Sequence, residues 1–563
     1  MKPAQKLKRF FKSYFWEILL FSTWGVYFVA LFSRILTFEA DGVWGGHQNV
    51  WSDWSLHIGM ANIFATKPPS LWFAYHPMYA QGKMTYTFLT NLISGLLMRM
   101  GVPLTSAFIW PSIVYSLLFL WGLFVLIQRL TRSKPIAYTA ITLFFFSAGL
   151  GFIHFIHDFI QKPSLRTLLE PPQQYGRIDE QGWYGSHFIT SILSPQRSAL
   201  LGMFFGVWAF NWVFEAMESK KPRSKAQQRL LFAAGFLCGL LPITHAHSLV
   251  VLAVILGGYC LYQYKRWREW LIFALTTVIL GGALYGFFIA GGIQNPNFVS
   301  IVWGYSAHSF WGWVLFWLRV FGLATPMAAV CLFLARHRLN RPALFFSVGS
   351  FSIFAICNIV QFQPIQWDQT KLLIWSYLGF SILCAWGLHE LWKWKNSWGA
   401  ASKVAAGFLC FLLTFTGALD GLLLQETYRT RYQMIDRSHL ELALQTRART
   451  GPLERFLTDP AHNHWVMMFA ARPIIMGFTA WVWNYGFNYR ETELEVPIMF
   501  QGGPQAEALL RKYKVSYVVI GDGERYNYKP NEAYFAQNFP LFIGNENTRV
   551  YDVRRLQESN PHQ

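Results

Sequence analysis

The sequence predicts a mainly α fold: a polytopic transmembrane helix bundle of about eleven spans, with a small α/β extracytoplasmic domain at its C-terminal end. Three observations predict it. Hydrophobic residues make up 53% of the 563 and charged ones only 14%, where soluble domains carry about 25%, so most of the chain cannot face water. Long apolar stretches recur at the length of about 20 residues that a helix needs to cross the hydrocarbon. Short runs of Lys and Arg fall in alternate connections between them, the pattern that sets membrane orientation.

The elements follow in order. Lys2, Lys6, Lys8, Arg9 and Lys12 precede the first apolar stretch, 15–36. It is too long for a signal-peptide core, and no small-residue cleavage site follows, so it reads as a retained signal anchor with a cytoplasmic N-terminus. Residues 37–104 form a first external loop. Within it the apolar stretch 84–100 is read as a helix along the outer surface. Counting it as a span would put Arg129, Arg132 and Lys134 on the wrong side. Spans 105–128 and 135–155 flank those cations, and 156–196 is a second external loop. Then come spans 197–217 and 229–246, joined by Lys220, Lys221, Arg223, Lys225 and Arg229. Spans 247–263 and 269–290 enclose Lys265, Arg266 and Arg268. Spans 309–335 and 342–361 enclose Arg336, Arg338 and Arg341, and spans 372–392 and 403–424 enclose Lys393, Lys395 and Lys403. Of the opposite connections, 291–308 holds no Lys or Arg and 362–371 holds only Lys371. Residues 1–424 are thus the transmembrane domain and 425–563 the extracytoplasmic one. In the latter, 436–449 and 505–513 read as helices, and Val515 to Ile520 and 548–553 as strands.

Composition also excludes. A net charge of +19 would suit a nucleic-acid partner, but the cations form no stripe that could follow a phosphate backbone. An aromatic share of 18%, with 26 Trp, suits rings at the membrane–water boundary. The six cysteines (Cys238, Cys260, Cys331, Cys357, Cys384 and Cys410) all lie in apolar stretches. They offer neither a CxxC zinc site nor a disulfide framework.

Polar residues at a membrane boundary are costly and mark function, and here they gather on one face. Asp41, His47, Asp53, His57 and His76 are in the first loop. Arg177, Asp179, Glu180, His187 and Arg197 are in or beside the second. His245 and His247, and Asp368 with Lys371, stand at outer helix ends. Asp53 and His57 are spaced i, i+4 and share a helix face. The carboxylate suits a general base, the pair a divalent metal, and the plainer reading is an exposed loop pair. His76 precedes Pro77, which favours extended backbone. Arg197 opens the fourth span, where its fork suits phosphate oxygens or anchors a headgroup by snorkelling. Lys371 has the same two readings, with Asp368 as a neutralising partner. His245 and His247 are spaced i, i+2, so on a helix their rings diverge unless the backbone turns there. No GxxxxGK[ST], HExxH or Cys nucleophile motif is present. No internal repeat is visible, and few charges lie inside spans, which counts against a coupled transporter. A lipid or small-molecule transporter or flippase, and a non-catalytic assembly protein, remain the alternatives to an enzyme.

The first loop reads Ser-Asp-Trp-Ser-Leu-His (52–57), then Tyr-His-Pro-Met-Tyr (75–79), then Thr-Tyr-Thr-Phe-Leu-Thr-Asn (85–91) before the surface helix. An acid soon after the first span, then His-Pro, then a surface helix resembles the GT-C superfamily of membrane glycosyltransferases. These include the polyprenyl-phosphate-sugar dependent protein mannosyltransferases and the lipid A aminoarabinose transferases. Ile-Leu-Ser-Pro-Gln-Arg-Ser-Ala-Leu-Leu-Gly (192–202), Trp-Asp-Gln-Thr-Lys (367–371) and Tyr-Lys-Val-Ser-Tyr-Val-Val-Ile-Gly (513–521), followed by Glu524-Arg525, look like a branch of that group. The resemblance implies an inverting glycosyltransferase; without a retention signal in the sequence, a bacterial inner membrane is the expected setting, though an endoplasmic reticulum protein would obey the same physics. The enzyme would move a sugar from a polyprenyl-phosphate donor to a glycan, lipid or protein acceptor at the extracytoplasmic face. Asp53, before Asp41, resembles the catalytic acid. Arg197 and Lys371 would bind the donor phosphate, and His57 and His76 would orient substrates. His245, His247 and Asp368 complete the substrate-binding set, and the C-terminal domain would help recognise the acceptor. A divalent metal, held by Asp53 and His57, belongs only to branches that need one. The chain departs from better-known branches in having a single Asp after the first span and, in the second loop, Asp179-Glu180 in place of a DxD motif.

Overall fold

The computed structural model describes residues 3–178, 180, 183–184, 187–220, 223–394 and 398–558; Asp179 and the cations Lys2, Lys221 and Lys395 lie outside them. Among the described residues seven helices are long and apolar enough to cross a membrane: Tyr14–Ile35, Leu104–Thr131, Arg197–Glu218, Lys225–Thr244, Tyr264–Ile289, Gln366–Trp392 and Gly399–Leu423. Two shorter apolar helices, Ala246–Tyr262 and Arg341–Cys357, stand with them. Gln366–Trp392 is central, with 83% of its apolar stretch buried in protein, whereas Tyr264–Ile289 buries 6% and turns its apolar sides outward. Small residues bring the helices together, as in other membrane bundles. A Cβ on Gly379 would fall 2.1 Å from Ser350 Oγ, and one on Gly206 2.7 Å from the Trp375 ring.

Two stretches that read as continuous spans are broken. The 135–155 stretch is helical over Lys134–Phe145, turns, and resumes as Phe152–Gln161. The 309–335 stretch forms Phe310–Phe321 and Ala324–Ala335, bent by 92°. Glycine causes both breaks, and the breaks meet. Gly149 has φ +68° and Gly322 φ +59°, a region that costs a side chain dearly. A Cβ on Gly149 would fall 1.9 Å from Arg319 O, and one on Gly322 3.3 Å from Gly149 Cα.

At one end of the bundle the first loop opens as an antiparallel hairpin, β1 (Leu36–Glu39) and β2 (Gly42–Gly45). β2 also pairs with β3 (Tyr432–Asp436), beyond the last span. The helix Gln48–Thr66 follows, with His47 Nδ1 capping it by accepting from Asn49 N at 3.2 Å. It is buried from Trp54 to Phe64 because two partners flank it. On one side lies the helix Leu89–Arg99, where a Cβ on Gly95 would fall 2.5 Å from Phe64 Cβ. At 11 residues this helix is about 16 Å long, too short to cross a bilayer. On the other side lies the π-helical turn Val466–Ala470, with Gly59 facing Met467 O.

The C-terminal segment builds a four-stranded sheet. Its strands are β4 (Arg455–Leu457), β5 (Val515–Ile520), β6 (Leu541–Gly544) and β7 (Arg549–Asp552), in the order β6-β7-β5-β4. β4 runs parallel to β5, and β7 antiparallel to it with Val518 opposite Tyr551. β5 is buried along its whole length, as an unbroken apolar run requires. Helices Arg437–Arg449 and Gly503–Lys512 match the sequence reading closely. Lys67 joins this segment to the first loop: its buried ammonium donates to Tyr75 Oη at 2.6 Å and Pro452 O at 2.5 Å.

Candidate active site at the end of the bundle

Where helix ends, the first loop and the C-terminal segment converge, they enclose a cavity of about 130 Å³. Its wall includes His76, Tyr86, Gln196, His245, His247, Lys371, Asn484 and Tyr485. Asp53 is not itself a wall residue but stands behind Gln196, which is. The side-chain amide of Gln196 donates to Asp53 Oδ2, and the Lys371 and Asp368 charges act on the carboxyl. Two bonds hold the Asp53 helix against the Ser-Pro-Gln segment: Trp54 Nε1 donates to Pro195 O at 3.0 Å, and Asn49 Nδ2 to Thr190 O at 3.3 Å. The Asp53 side chain is half-buried. Burial pushes its pKa up to about 7, with Lys371 opposing that rise, Asp368 adding to it and the Gln196 bond opposing it.

Lys371 begins the central helix, and its ammonium lies 2.7 Å from Asp368 Oδ1. Asp368 Oδ2 accepts from Asn484 Nδ2 at 2.5 Å, which ties the pair to the C-terminal segment. Trp367, next in chain, lies under the Arg177 guanidinium at 4.7 Å, so the second loop closes over the same corner. That loop is fixed by Asp420 near the end of the last span, whose carboxylate accepts from Tyr175 N and Gly176 N at 2.7 and 2.9 Å. His187 is buried beneath it, its Nδ1 3.7 Å from Asp420 Oδ2.

The three cavity histidines have distinct settings. His245 has extended backbone (φ −162°, ψ 88°) between the helices Leu241–Thr244 and Ala246–Tyr262. The chain turns there, so the i, i+2 pair shares the cavity wall, with ring centroids 5.2 Å apart. His245 Nδ1 is hydrogen-bonded to Ser248 Oγ at 2.8 Å, leaving its Nε2 without a protein partner. His76 Nδ1 accepts from Met78 N at 3.2 Å, and its Nε2 is likewise unpartnered. Burial pushes the His76 pKa down to about 3, so the ring is neutral.

Three other sequence candidates stand elsewhere. Arg197 is fully buried, donating to Ser94 Oγ at 2.6 Å and Ser112 Oγ at 3.3 Å, with its guanidinium 4.1 Å from the Phe108 ring centre. It braces the surface helix against two spans and is not part of the cavity wall. His57 pairs its Nδ1 with Asn91 Nδ2 at 2.9 Å inside the contact with that surface helix. Burial and then the Arg197 charge push its pKa down to about 3. Asp41 is exposed in the β1–β2 turn, accepting from Trp44 Nε1 at 3.0 Å. Gln196, Tyr86, Asn484 and Tyr485 were not singled out from the sequence. Gln196 and Tyr86 lie inside motifs the sequence already marks, whereas nothing local distinguishes Asn484 or Tyr485. The Tyr86 and Tyr485 rings are 4.6 Å apart.

No protein-family model matches the sequence, and no curated protein matches it. Solved structures do. ArnT from Cupriavidus metallidurans bound to undecaprenyl phosphate aligns with a TM-score of 0.51 at 10% identity, over 96% of this chain and 98% of that one. The apo state of that protein gives 0.49 at 12% identity, over 97% and 99%. The archaeal oligosaccharyltransferase AglB from Archaeoglobus fulgidus, in complex with an inhibitory peptide and a dolichol-phosphate, gives 0.46 at 13%, over 92% and 70%. The likeness to undecaprenyl-phosphate-bound ArnT runs end to end in both chains, and this protein therefore shares the fold of that structure.

Proposed function

We propose that the protein is a membrane glycosyltransferase that moves a sugar from a polyprenyl-phosphate donor to an acceptor at the extracytoplasmic face. The observation that carries this reading is a cavity walled by Lys371 and three histidines, with Asp53 held against it through the wall residue Gln196, in a GT-C-like fold. ArnT binds undecaprenyl phosphate, and a lipid-linked phosphate suits Lys371, the lone cation among the described residues of the cavity wall. The Lys/Arg-rich connections support a cytoplasmic placement of the opposite end of the bundle.

Asp53 takes the catalytic role. A carboxylate titrating near 7 is matched to removing a proton from an acceptor nucleophile as it attacks the anomeric carbon. The bond to the carrier phosphate breaks in the same displacement, and Lys371 stabilises the departing phosphate. Asp368 and Asn484 hold the ammonium in place. His76 and His245, each with a free Nε2, hydrogen-bond sugar hydroxyls, and His247 lines the same wall. Arg197 and His57 act as positioning residues by fixing the surface helix behind Asp53.

The test is incubation of the purified protein with a panel of labelled polyprenyl-phosphate sugars and envelope-derived acceptors. Consumption of one donor by the wild type and none by Asp53→Asn is the expected result. A folded wild type that consumes none, or an Asp53→Asn protein that consumes the donor at full rate, refutes it.

A further inference from the structure

A second polar cavity, about 260 Å³, opens in the C-terminal segment. Its wall carries four carboxylates (Asp436, Asp459, Asp522 and Glu524), two imidazoles (His439 and His464) and, among the described residues, no Lys or Arg. In a chain of net charge +19, such a wall favours a cation. Three buried side chains converge in it, each with a ligand atom within 4.8 Å of the others: Asp459, His464 and Glu524. His464 Nε2 lies 3.2 Å from Glu524 Oε1 and 3.7 Å from Asp459 Oδ1. Backbone amides fix Glu524 on both oxygens: Asp459 N donates to Oε1 and Gly521 N to Oε2, each at 2.9 Å. Asp459 Oδ1 differs. It is buried, it accepts no hydrogen bond, and His464 stands beyond hydrogen-bond reach of it. A buried carboxylate oxygen without a donor is costly, and a cation removes that cost.

We propose that Asp459, His464 and Glu524 bind one divalent metal ion of the Mn²⁺ or Zn²⁺ class. Two carboxylate oxygens and one imidazole nitrogen suit those ions, and are too few oxygens for Ca²⁺. Val466 N donates to His464 Nδ1 at 3.2 Å, so without metal the ring hydrogen sits on Nε2, toward Glu524. The ion takes that position, and the hydrogen moves to Nδ1 at the expense of the Val466 contact. Binding ties the 459–464 loop to the start of the helix Asp522–Tyr528. That loop carries His462, whose ring stacks on Phe478 with centroids 3.6 Å apart and stands 5.2 Å from Trp51, on the Asp53 helix. The ion thereby stiffens the surface on which the Asp53 helix rests.

The experiment uses the full-length protein in detergent, stripped with EDTA, then titrated with MnCl₂, ZnCl₂ or CaCl₂ by calorimetry and followed by thermal melting. The expected result is one Mn²⁺ or Zn²⁺ per chain with a raised melting temperature. Asp459→Asn, which keeps the size of the side chain and the backbone bond to Glu524, is expected to weaken binding at least about tenfold. Asp53→Asn is expected to bind as the wild type does. Should Asp459→Asn fail to fold, X-ray absorption at the zinc edge of the wild type decides, with an imidazole and carboxylate oxygens in the shell expected. The proposal is overturned by the absence of saturable binding, by unchanged affinity in Asp459→Asn, by loss of the ion in Asp53→Asn, by tighter Ca²⁺ than Mn²⁺ or Zn²⁺ binding, or by a zinc shell without imidazole.

Discussion

Asp53 offers the sharpest test, because its environment sets a number. With the carboxyl pushed up to about 7, a change from about pH 6 to about pH 8 takes it from roughly a tenth to roughly nine-tenths ionised. If the carboxylate is the base, kcat/KM rises about tenfold over that interval. The neighbouring imidazoles His57 and His76 do not compete there, since both are held near 3, and a phosphodiester donor is fully ionised. Asp53→Asn is expected to flatten the profile and lower the rate by about 10²–10⁴. Gln196→Leu removes a donor that favours the charged form, so the inflection moves to higher pH. Linkage separates these effects from unfolding. A carboxyl raised in the fold contributes stability at low pH that is lost as pH climbs from about 4 to about 7. Asp53→Asn therefore melts no lower than wild type at pH 8. The assay is donor consumption across pH in buffers of constant ionic strength, with melting curves on the same samples. An inflection near 7 that persists in Asp53→Asn, or a Gln196→Leu profile displaced toward acid, refutes the reasoning.

Lys371→Met is expected to raise the donor KM at least about tenfold, the scale of one charge-assisted bond of about 1.5–3 kcal/mol. Because it strands Asp368, the double variant with Asp368→Asn regains melting temperature without regaining donor affinity, as read by thermal shift and by binding of polyprenyl phosphate. Arg197→Met is expected to leave donor KM within about twofold. Ser94 and Ser112 keep their own acceptors, Ala107 O and Phe108 O, and replacing a buried charge by an apolar side chain is often tolerated; a tenfold KM rise would return Arg197 to the phosphate site. Gly149→Ala meets Arg319 O at a left-handed φ. It is expected to cost about 3 kcal/mol or more, visible as a lowered melting temperature in detergent.

The membrane bundle is legible in the sequence because hydrocarbon demands apolar length and tolerates little else. The two helix breaks are not. Leu, Phe, Ala and Gly fill the chain on either side of Gly149 and Gly322 alike, so hydropathy runs straight through both turns. What creates the breaks is a contact between glycines 173 positions apart in the chain, which no local window contains. The site divides the same way. Polar residues at helix ends stand out from their sequence surroundings, which is how Asp53, Lys371, His76, His245 and His247 can be marked as candidates. Their directions depend on backbone detail. Gln196 has φ −98° and ψ 69° at the helix start, so Gln196 turns to Asp53 while Arg197 turns into the bundle. From the sequence the arginine looks like the better phosphate ligand, and its burial among two serines and two rings could not be foreseen.

Asp41 and Asp53 illustrate what decides between equivalent acids. Both follow the first span, and the motif resemblance ranks them only by neighbours. In the structure Asp41 occupies a hairpin tip with an exposed side chain, away from the cavity wall. Asp53 lies on a helix clamped between the surface helix and the Val466–Ala470 turn, and burial alters its chemistry. The clamp belongs largely to the C-terminal segment: Met467 packs on Gly59, Asn62 Nδ2 donates to Met468 O at 2.8 Å, and Asn484 reaches the Asp368–Lys371 pair. Residues beyond the last span therefore help set both the surroundings of Asp53 and the position of Lys371. A chain ending at the last span would keep every motif quoted for the transmembrane part and lose the geometry that makes them a site. Expressed without residues 425–563, the bundle is expected to show neither the inflection near pH 7 nor donor binding at Lys371.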